Sequence, residues 1–308
     1  MQGKIENMEI RHGRSSLIIL KSHQERDILK TGKILGLHPV VMGELMRPTL
    51  RPKVEGYDDY LYLVLHFPIF NAEDRKTYPH EIDFVITKET LLVVEHNEIQ
   101  VLRDFYQKLF QDKDFRERHF ANSPSILLHS LISFLYDYIF RQLDHVQRNI
   151  DIIDKRIYSN REKKIVREIS FVRRDILGFI LALRPQRLPL ESLRGIGKEF
   201  FGREFLPYFD NLIGDYARIW NLLETYQETL QMLHETNESL LSARANEIIK
   251  TLTIMAVLAL PATLIANIFG MSTRLPIIDQ PNGFWIILGL MSVSVIIAFA
   301  YFKKRKWI

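Results

Sequence analysis

Asn246, Lys250, Thr253, Val257, Leu260, Thr263 or Leu264, and Asn267 recur at steps of three and four residues, so a helix through them would place them on one side. Most of that side falls within Thr251 to Gly270, a run of twenty residues without Asp, Glu, Lys or Arg. Polar groups are costly against lipid, so Asn267 and Thr263 in such a run face either a cavity or a neighbouring helix. If a cavity, their oxygens could meet an ion or its water shell. Ile249, Leu252, Val257 and Leu260 on the same side could form hydrophobic constrictions that gate by dewetting. The spacing alone leaves helix-to-helix hydrogen bonding open as the other role of Thr263 and Asn267.

Other chemistries find little support. The chain has no cysteine, which excludes disulfides, thiolate metal sites and cysteine nucleophiles and fits a reducing compartment. No His-Glu-x-x-His arrangement and no glycine-rich phosphate loop occur, and His38 and His66 read as structural. An enzyme is not expected, nor a cofactor. The net charge of +4 and the isoelectric point of about 9.1 are too mild and dispersed to suggest nucleic acid.

The elements that would position these residues are two apolar spans. At ~1.5 Å per residue, residues 251–270 and the second run, Gly283 to Phe302, are each long enough to cross a hydrocarbon core of ~30 Å. Lys303-Lys304-Arg305-Lys306 follows the second run, and Trp285, Tyr301 and Trp307 stand where interfacial aromatics are expected. The twelve-residue connection, 271–282, carries one Arg and one Asp, so the charge balance puts both long ends inside and the short loop outside. The first 240 or so residues have no comparable span and no secretory signal, which assigns them to the cytoplasm. Two spans cannot enclose an aqueous path alone, so a pore requires several copies around an axis. The second span, with little polar periodicity beyond Ser292 and Ser294, suits an outer ring against lipid.

Upstream, the pattern up to about residue 120 is mixed α and β. Runs at 60–67, 82–87 and 91–95 predict neighbouring antiparallel strands; Ser22 with Glu25 suggests a helix cap; Pro48 and Pro52 mark a break; and a helix is expected over about 99–110. From Pro124 onward helices take over, with Pro185 and Pro189 punctuating a helical hairpin and Gly195 and Gly197 giving its turn. Residues 141–198 hold 14 Lys or Arg against 7 Asp or Glu, whereas residues 204–247 hold 2 basic and 8 acidic residues. Either these are two independently solvated faces, or the basic hairpin lies against an acidic stalk whose carboxylates a divalent cation could compete for. No Gly or Pro occurs from Asp215 through Leu260, so one helix of ~100 Å could run from about Glu204 to Gly270, with Pro261 its first disrupting residue.

Several segments resemble the CorA-type divalent metal ion transporters. Asn246-Glu247-Ile248-Ile249-Lys250-Thr251-Leu252-Thr253, Pro261-Ala262-Thr263 and Ile268-Phe269-Gly270-Met271 are similar in order and spacing to that family's pore helix. Leu37-His38-Pro39, Arg51-Pro52-Lys53-Val54-Glu55 and Tyr57-Asp58-Asp59-Tyr60 resemble its cytoplasmic domain, and the terminal Tyr301 to Trp307 its tail. The resemblance implies a funnel-shaped homopentamer that carries Mg²⁺, and often Co²⁺ or Ni²⁺, down its gradient. A relative, the ZntB type, moves Zn²⁺.

Three departures accompany the match. The family signature Gly-Met-Asn at the outer pore mouth reads Gly270-Met271-Ser272 here. Mg²⁺ holds its water reluctantly, so its recognition there implies outer-shell acceptors, and Ser272 offers an oxygen on a shorter arm than Asn. Two residues on, where the family often has Glu, stands Arg274, which either opposes cations or turns to lipid headgroups or Asp279. By the landmark Pro207-Tyr208-Phe209, the family's Mg²⁺-sensing aspartate aligns with Asn211, leaving Asp210, Asn211 and Asp215 as candidates for a regulatory metal.

The resulting expectation is an α+β chain: a cytoplasmic α/β domain (1–120), a helical hairpin region (121–203), a stalk (204–250), a pore-lining span (251–270), an external loop (271–282), a second span (283–302) and a basic tail (303–308). Expected pore-lining residues are Asn246, Ile249, Leu252, Thr253, Val257, Leu260, Thr263 and Asn267, with Gly270, Met271 and Ser272 at the mouth. The expected function is Mg²⁺ or other divalent cation transport in an inner membrane, by an oligomer embedded in lipid. The alternatives are a proton-coupled Zn²⁺ transporter and a non-conducting regulatory homologue; no His or carboxylate inside either span serves a proton relay.

Overall fold

The computed structural model describes residues 8–71, 73, 76–120, 123–158, 162–271 and 282–305. The chain divides into two compact units, Met1–His234 and Glu235–Ile308.

The first unit is built on a six-stranded sheet of β1 (Met8–His12), β2 (Ser15–Lys21), β3 (Lys53–Gly56), β4 (Leu61–Asn71), β5 (Lys76–Ile86) and β6 (Thr90–Glu95). Their spatial order is β1-β2-β6-β5-β4-β3. β2 and β6 run parallel and every other pair antiparallel. The three strands expected from sequence all form and are antiparallel neighbours. β4 and β5 extend further than expected, pairing from Leu61 opposite Ile86 to Asn71 opposite Lys76, with Pro68 facing Pro79 so that both missing donors fall on one rung. β1, β2 and β3 are additions: two are short, and β2 pairs with β1 across a short turn on one side and on the other with β6, a strand some seventy residues away that no local window contains.

α1 (Glu25–Ile34) and α2 (Pro39–Leu45) cover one face of the sheet, where Ile28, Leu37, Val41 and Leu45 pack with Tyr62, Val64, Val85 and Leu92. The cap expected at Ser22 does not form. Gln24 occupies the N-cap position of α1 without a side-chain cap bond, and its Oε1 instead accepts from the Lys21 backbone N–H at 2.9 Å, because the strand's end needs that acceptor. Leu63, Phe67, Phe84 and Val93 alternate onto the opposite face and are fully buried there, as are the apolar stripes of α3 (Gln100–Gln111) and α5 (Pro124–Arg156). α4 (Lys113–Phe120) lies between these two in sequence, and α6 (Glu162–Leu183) packs on β4 and β5.

The hairpin turn is displaced from its expected place. A 3-10 turn at Arg184–Gln186 carries Pro185, and Pro189 sits in the first turn of α7 (Arg187–Phe201), where a missing N–H costs nothing. Gly195 and Gly197 are inside α7 rather than in a turn; a Cβ on Gly197 would come within 2.5 Å of the Phe209 ring, so this glycine admits a close packing partner. The reversal falls on Gly202, at φ 103° and ψ 171°, followed by a short 3-10 turn, Arg203–Phe205, and then α8 (Leu206–Gly270). Arg194 of the basic stretch pairs with Asp210 of the acidic one at 2.5 Å, with both side chains about half exposed.

α8 includes Pro261 without interruption, as the absence of earlier breakers implied. The second unit contains the C-terminal part of α8 and α9 (Gly283–Lys304), and both helices have apolar windows long enough to cross a membrane. Lys303 and Lys304 occupy the last turn of α9, where positive charge complements the helix dipole, and Arg305 lies over the Tyr301 ring at 5.9 Å.

Candidate functional site

The expected pore-lining residues occupy one stripe of α8. Ile254 is buried, and Leu258, Pro261, Ala262, Ile265 and Phe269 are half-buried. At ~100° of rotation per residue these six fall within an arc of about 100°. Asn246, Ile249, Leu252, Thr253, Val257, Leu260, Thr263 and Asn267 are all exposed. They fall within an arc of about 140° whose centre is opposite the covered side. Lys250, which shares their spacing, lies about 90° from the centre of the stripe, at its flank.

Hydrogen bonding fixes what the stripe presents. Thr253 Oγ1 donates to the Ile249 carbonyl at 2.8 Å and Thr263 Oγ1 to the Ala259 carbonyl at 2.9 Å. Each hydroxyl spends its proton on its own helix, so outward it offers only lone pairs. Pro261 has no N–H, which leaves the Val257 carbonyl, at the flank of the stripe toward the covered side, without its usual helical donor. The stripe is therefore rich in oxygen acceptors between apolar side chains, an arrangement suited to a cation or its hydration water. Gly270 ends α8 and Met271 follows it exposed. Ser272, Arg274 and Asp279 lie outside the described residues, as does Trp307.

The regulatory candidates are engaged with protein partners. Asp210 pairs with Arg194, Asn211 Oδ1 meets His129 Nε2 at 2.9 Å, and Asp215 pairs with Arg218 one turn along α8. Among the described residues, Asp210 and Asp215 belong to no group of three or more ligating side chains whose donor atoms converge within 4.8 Å.

Such a group occurs instead in the sheet, formed by Glu81, Asp83 and His96. Sequence reasoning missed it; its one local signal is Asp83 inside the apolar run 82–86. Burial pushes the Asp83 carboxyl up to about 7 against the opposing pull of its His96 hydrogen bond. Glu81 is also buried, yet hydrogen bonds from His66 and Thr49 hold it below the usual carboxylate range.

A family model described as CorA-like Mg²⁺ transporter protein matches residues 17–304. The cobalt/magnesium transport protein CorA of Thermotoga maritima is 26% identical over 287 residues, covering 93% of this chain and 81% of that protein. The complete CorA magnesium transporter structure from Methanocaldococcus jannaschii superposes with a TM-score of 0.84 at 20% identity, covering 99% of this chain and 95% of that one. The full-length CmaX structure gives a TM-score of 0.73 at 16% identity, with 99% and 93% covered. With the family model spanning nearly the whole chain, both apolar spans included, this protein belongs to the CorA-like Mg²⁺ transporter family, as an inner-membrane divalent cation transporter rather than an enzyme.

Proposed function

We propose that the chain conducts Mg²⁺, with Co²⁺ and Ni²⁺ as further substrates, through a pore formed where the α8 stripes of five copies face a common axis. The observation that carries this reading is that Asn246, Ile249, Leu252, Thr253, Val257, Leu260, Thr263 and Asn267 are all exposed, on the side of α8 opposite its covered residues. Mg²⁺ keeps several of its waters in most sites, so outward-facing lone pairs of Asn267, Thr263 and Thr253 suit the hydrated ion better than a charged cage would. Leu260, Val257, Leu252 and Ile249 then form the apolar constrictions between them. Gly270, Met271 and Ser272 form the mouth. Asp210, Asn211 and Asp215 remain the candidates for a regulatory Mg²⁺, which would compete with Arg194 and Arg218 for the carboxylates.

Ion-by-ion flux in proteoliposomes tests the assignment. Asn267→Leu should lower Mg²⁺ flux by about tenfold or more, the effect of ~1.4 kcal/mol added to the barrier. Met255→Leu, which lies well away from the stripe, should change flux less than twofold. In the same assay Ser272→Asn should raise the preference for Mg²⁺ over Co²⁺ and Ni²⁺. Equal effects of the Asn267 and Met255 substitutions would refute the stripe, and unchanged selectivity would refute the mouth.

A further inference from the structure

Four titratable side chains converge within the sheet of the first unit, none of them used by transport. Alternation along β5 puts Glu81 and Asp83 on one face. His66 of β4 is directly opposite Glu81. Val94 of β6 is opposite Asp83, and His96 follows it by two residues. His96 Nε2 lies 2.9 Å from Asp83 Oδ2 and 3.5 Å from Glu81 Oε1, while His66 Nε2 lies 3.3 Å from Glu81 Oε2.

The cluster is largely buried and incompletely satisfied. The Asp83 side chain is 0% exposed, and its Oδ1 has no hydrogen-bond partner; His96 Nδ1 has none either. A buried carboxylate oxygen without a donor is costly, and among native proteins such an atom commonly marks an absent ion or water. Glu81, by contrast, is firmly held: the Thr49 backbone N–H donates to both of its oxygens at 2.8 Å, and Thr49 Oγ1 donates to Oε1 at 2.8 Å. One oriented carboxylate, one carboxylate with an unpartnered oxygen and one imidazole thus bring their donor atoms within 4.8 Å of one another.

We propose that Glu81, Asp83 and His96 form a binding site for a transition-metal dication of the Zn²⁺, Co²⁺ and Ni²⁺ class, with His66 and Thr49 orienting Glu81. Imidazole nitrogen suits these metals, whereas Mg²⁺ demands near-octahedral oxygen, which two carboxylates and an imidazole do not provide. Two carboxylates balance the charge of one dication, and three protein ligands leave a fourth position for water. The hydrogen bonds of Thr49 and His66 to Glu81 are the outer-shell contacts that hold a ligating carboxylate in place. Thr49, which holds Glu81, is followed by Leu50, 97% exposed, so the cluster is one residue removed from the surface on that side. The site is independent of the transport reading, because all its residues belong to the first unit.

The test uses the full chain, free of any affinity tag, stripped with EDTA and titrated with Co²⁺ in excess Mg²⁺ so that oxygen-only sites are filled. About one Co²⁺ per chain should bind with the intense visible absorption of a low-coordinate nitrogen and oxygen site, far above that of the hydrated ion. Asp83→Asn and His96→Gln should each abolish that band. Zn²⁺ X-ray absorption on the unsubstituted protein should show an imidazole shell, which makes the proposal testable even where a substitution impairs folding. Absorption no stronger than the hydrated ion, a band that survives both substitutions, or a zinc shell without imidazole would each overturn it.

Discussion

Asp175 illustrates how burial sets the chemistry of a single residue in this chain. It lies on α6 and accepts a hydrogen bond from Thr77 Oγ1 of β5, but burial outweighs that bond and raises its carboxyl above the usual range. A native pKa above the unfolded value of ~3.9 means the folded state holds the proton more tightly. Asp175 therefore favours folding fully below the unfolded pKa, and that contribution is lost as pH rises through the native value. Asp175→Asn keeps an acceptor for Thr77 and removes the charge, so its melting temperature relative to the parent should be higher at pH 7 than at pH 4. An equal difference at both pH values would refute the account. The α8 stripe was legible from sequence because helical spacing is a local property. The convergence of Glu81, Asp83 and His96 was not, since three residues scattered over sixteen positions meet only through strand register.

At the scale of elements, the chain's punctuation depends on backbone geometry more than on which residues usually break helices. Gly195 and Gly197 look like a turn in sequence, yet α7 passes through both and reverses at Gly202. Gly202 adopts φ 103° and ψ 171°, a region open in practice to glycine alone, and a Cβ there would meet the Glu204 carboxylate at 2.6 Å. Gly202→Ala should lower the stability of the folded chain by about 1 to 3 kcal/mol, read as a lower melting temperature. An unchanged melting temperature would show that the turn relaxes without strain. The charge contrast between the basic hairpin and the acidic stretch has a smaller counterpart in structure: Arg194 to Asp210 is an exposed pair, worth ~0 to 1 kcal/mol, that orients α7 against the start of α8. α6 and α8 also border a groove of about 810 Å³ with Arg173 on one wall and Glu224 and Glu228 on the other, so the opposite charges line one space.

At the scale of the molecule, the proposed pore requires assembly, because a single α8 stripe encloses nothing. Native mass spectrometry of the detergent-solubilised protein should give a mass of five chains, and a predominant monomer or dimer would rule out a pore built as proposed. The sequence by itself determined the two apolar spans, the unbroken helix leading into the first and the central antiparallel strands, since each depends on composition or period within a short window. Only the tertiary structure decided that β2 joins β6 in parallel, that Gly202 and not Gly197 makes the turn, and that two carboxylates and an imidazole meet inside the sheet. These features depend on pairings between distant segments, where a position's surroundings are set by whichever strand or ring packs against it and not by its neighbours in the chain.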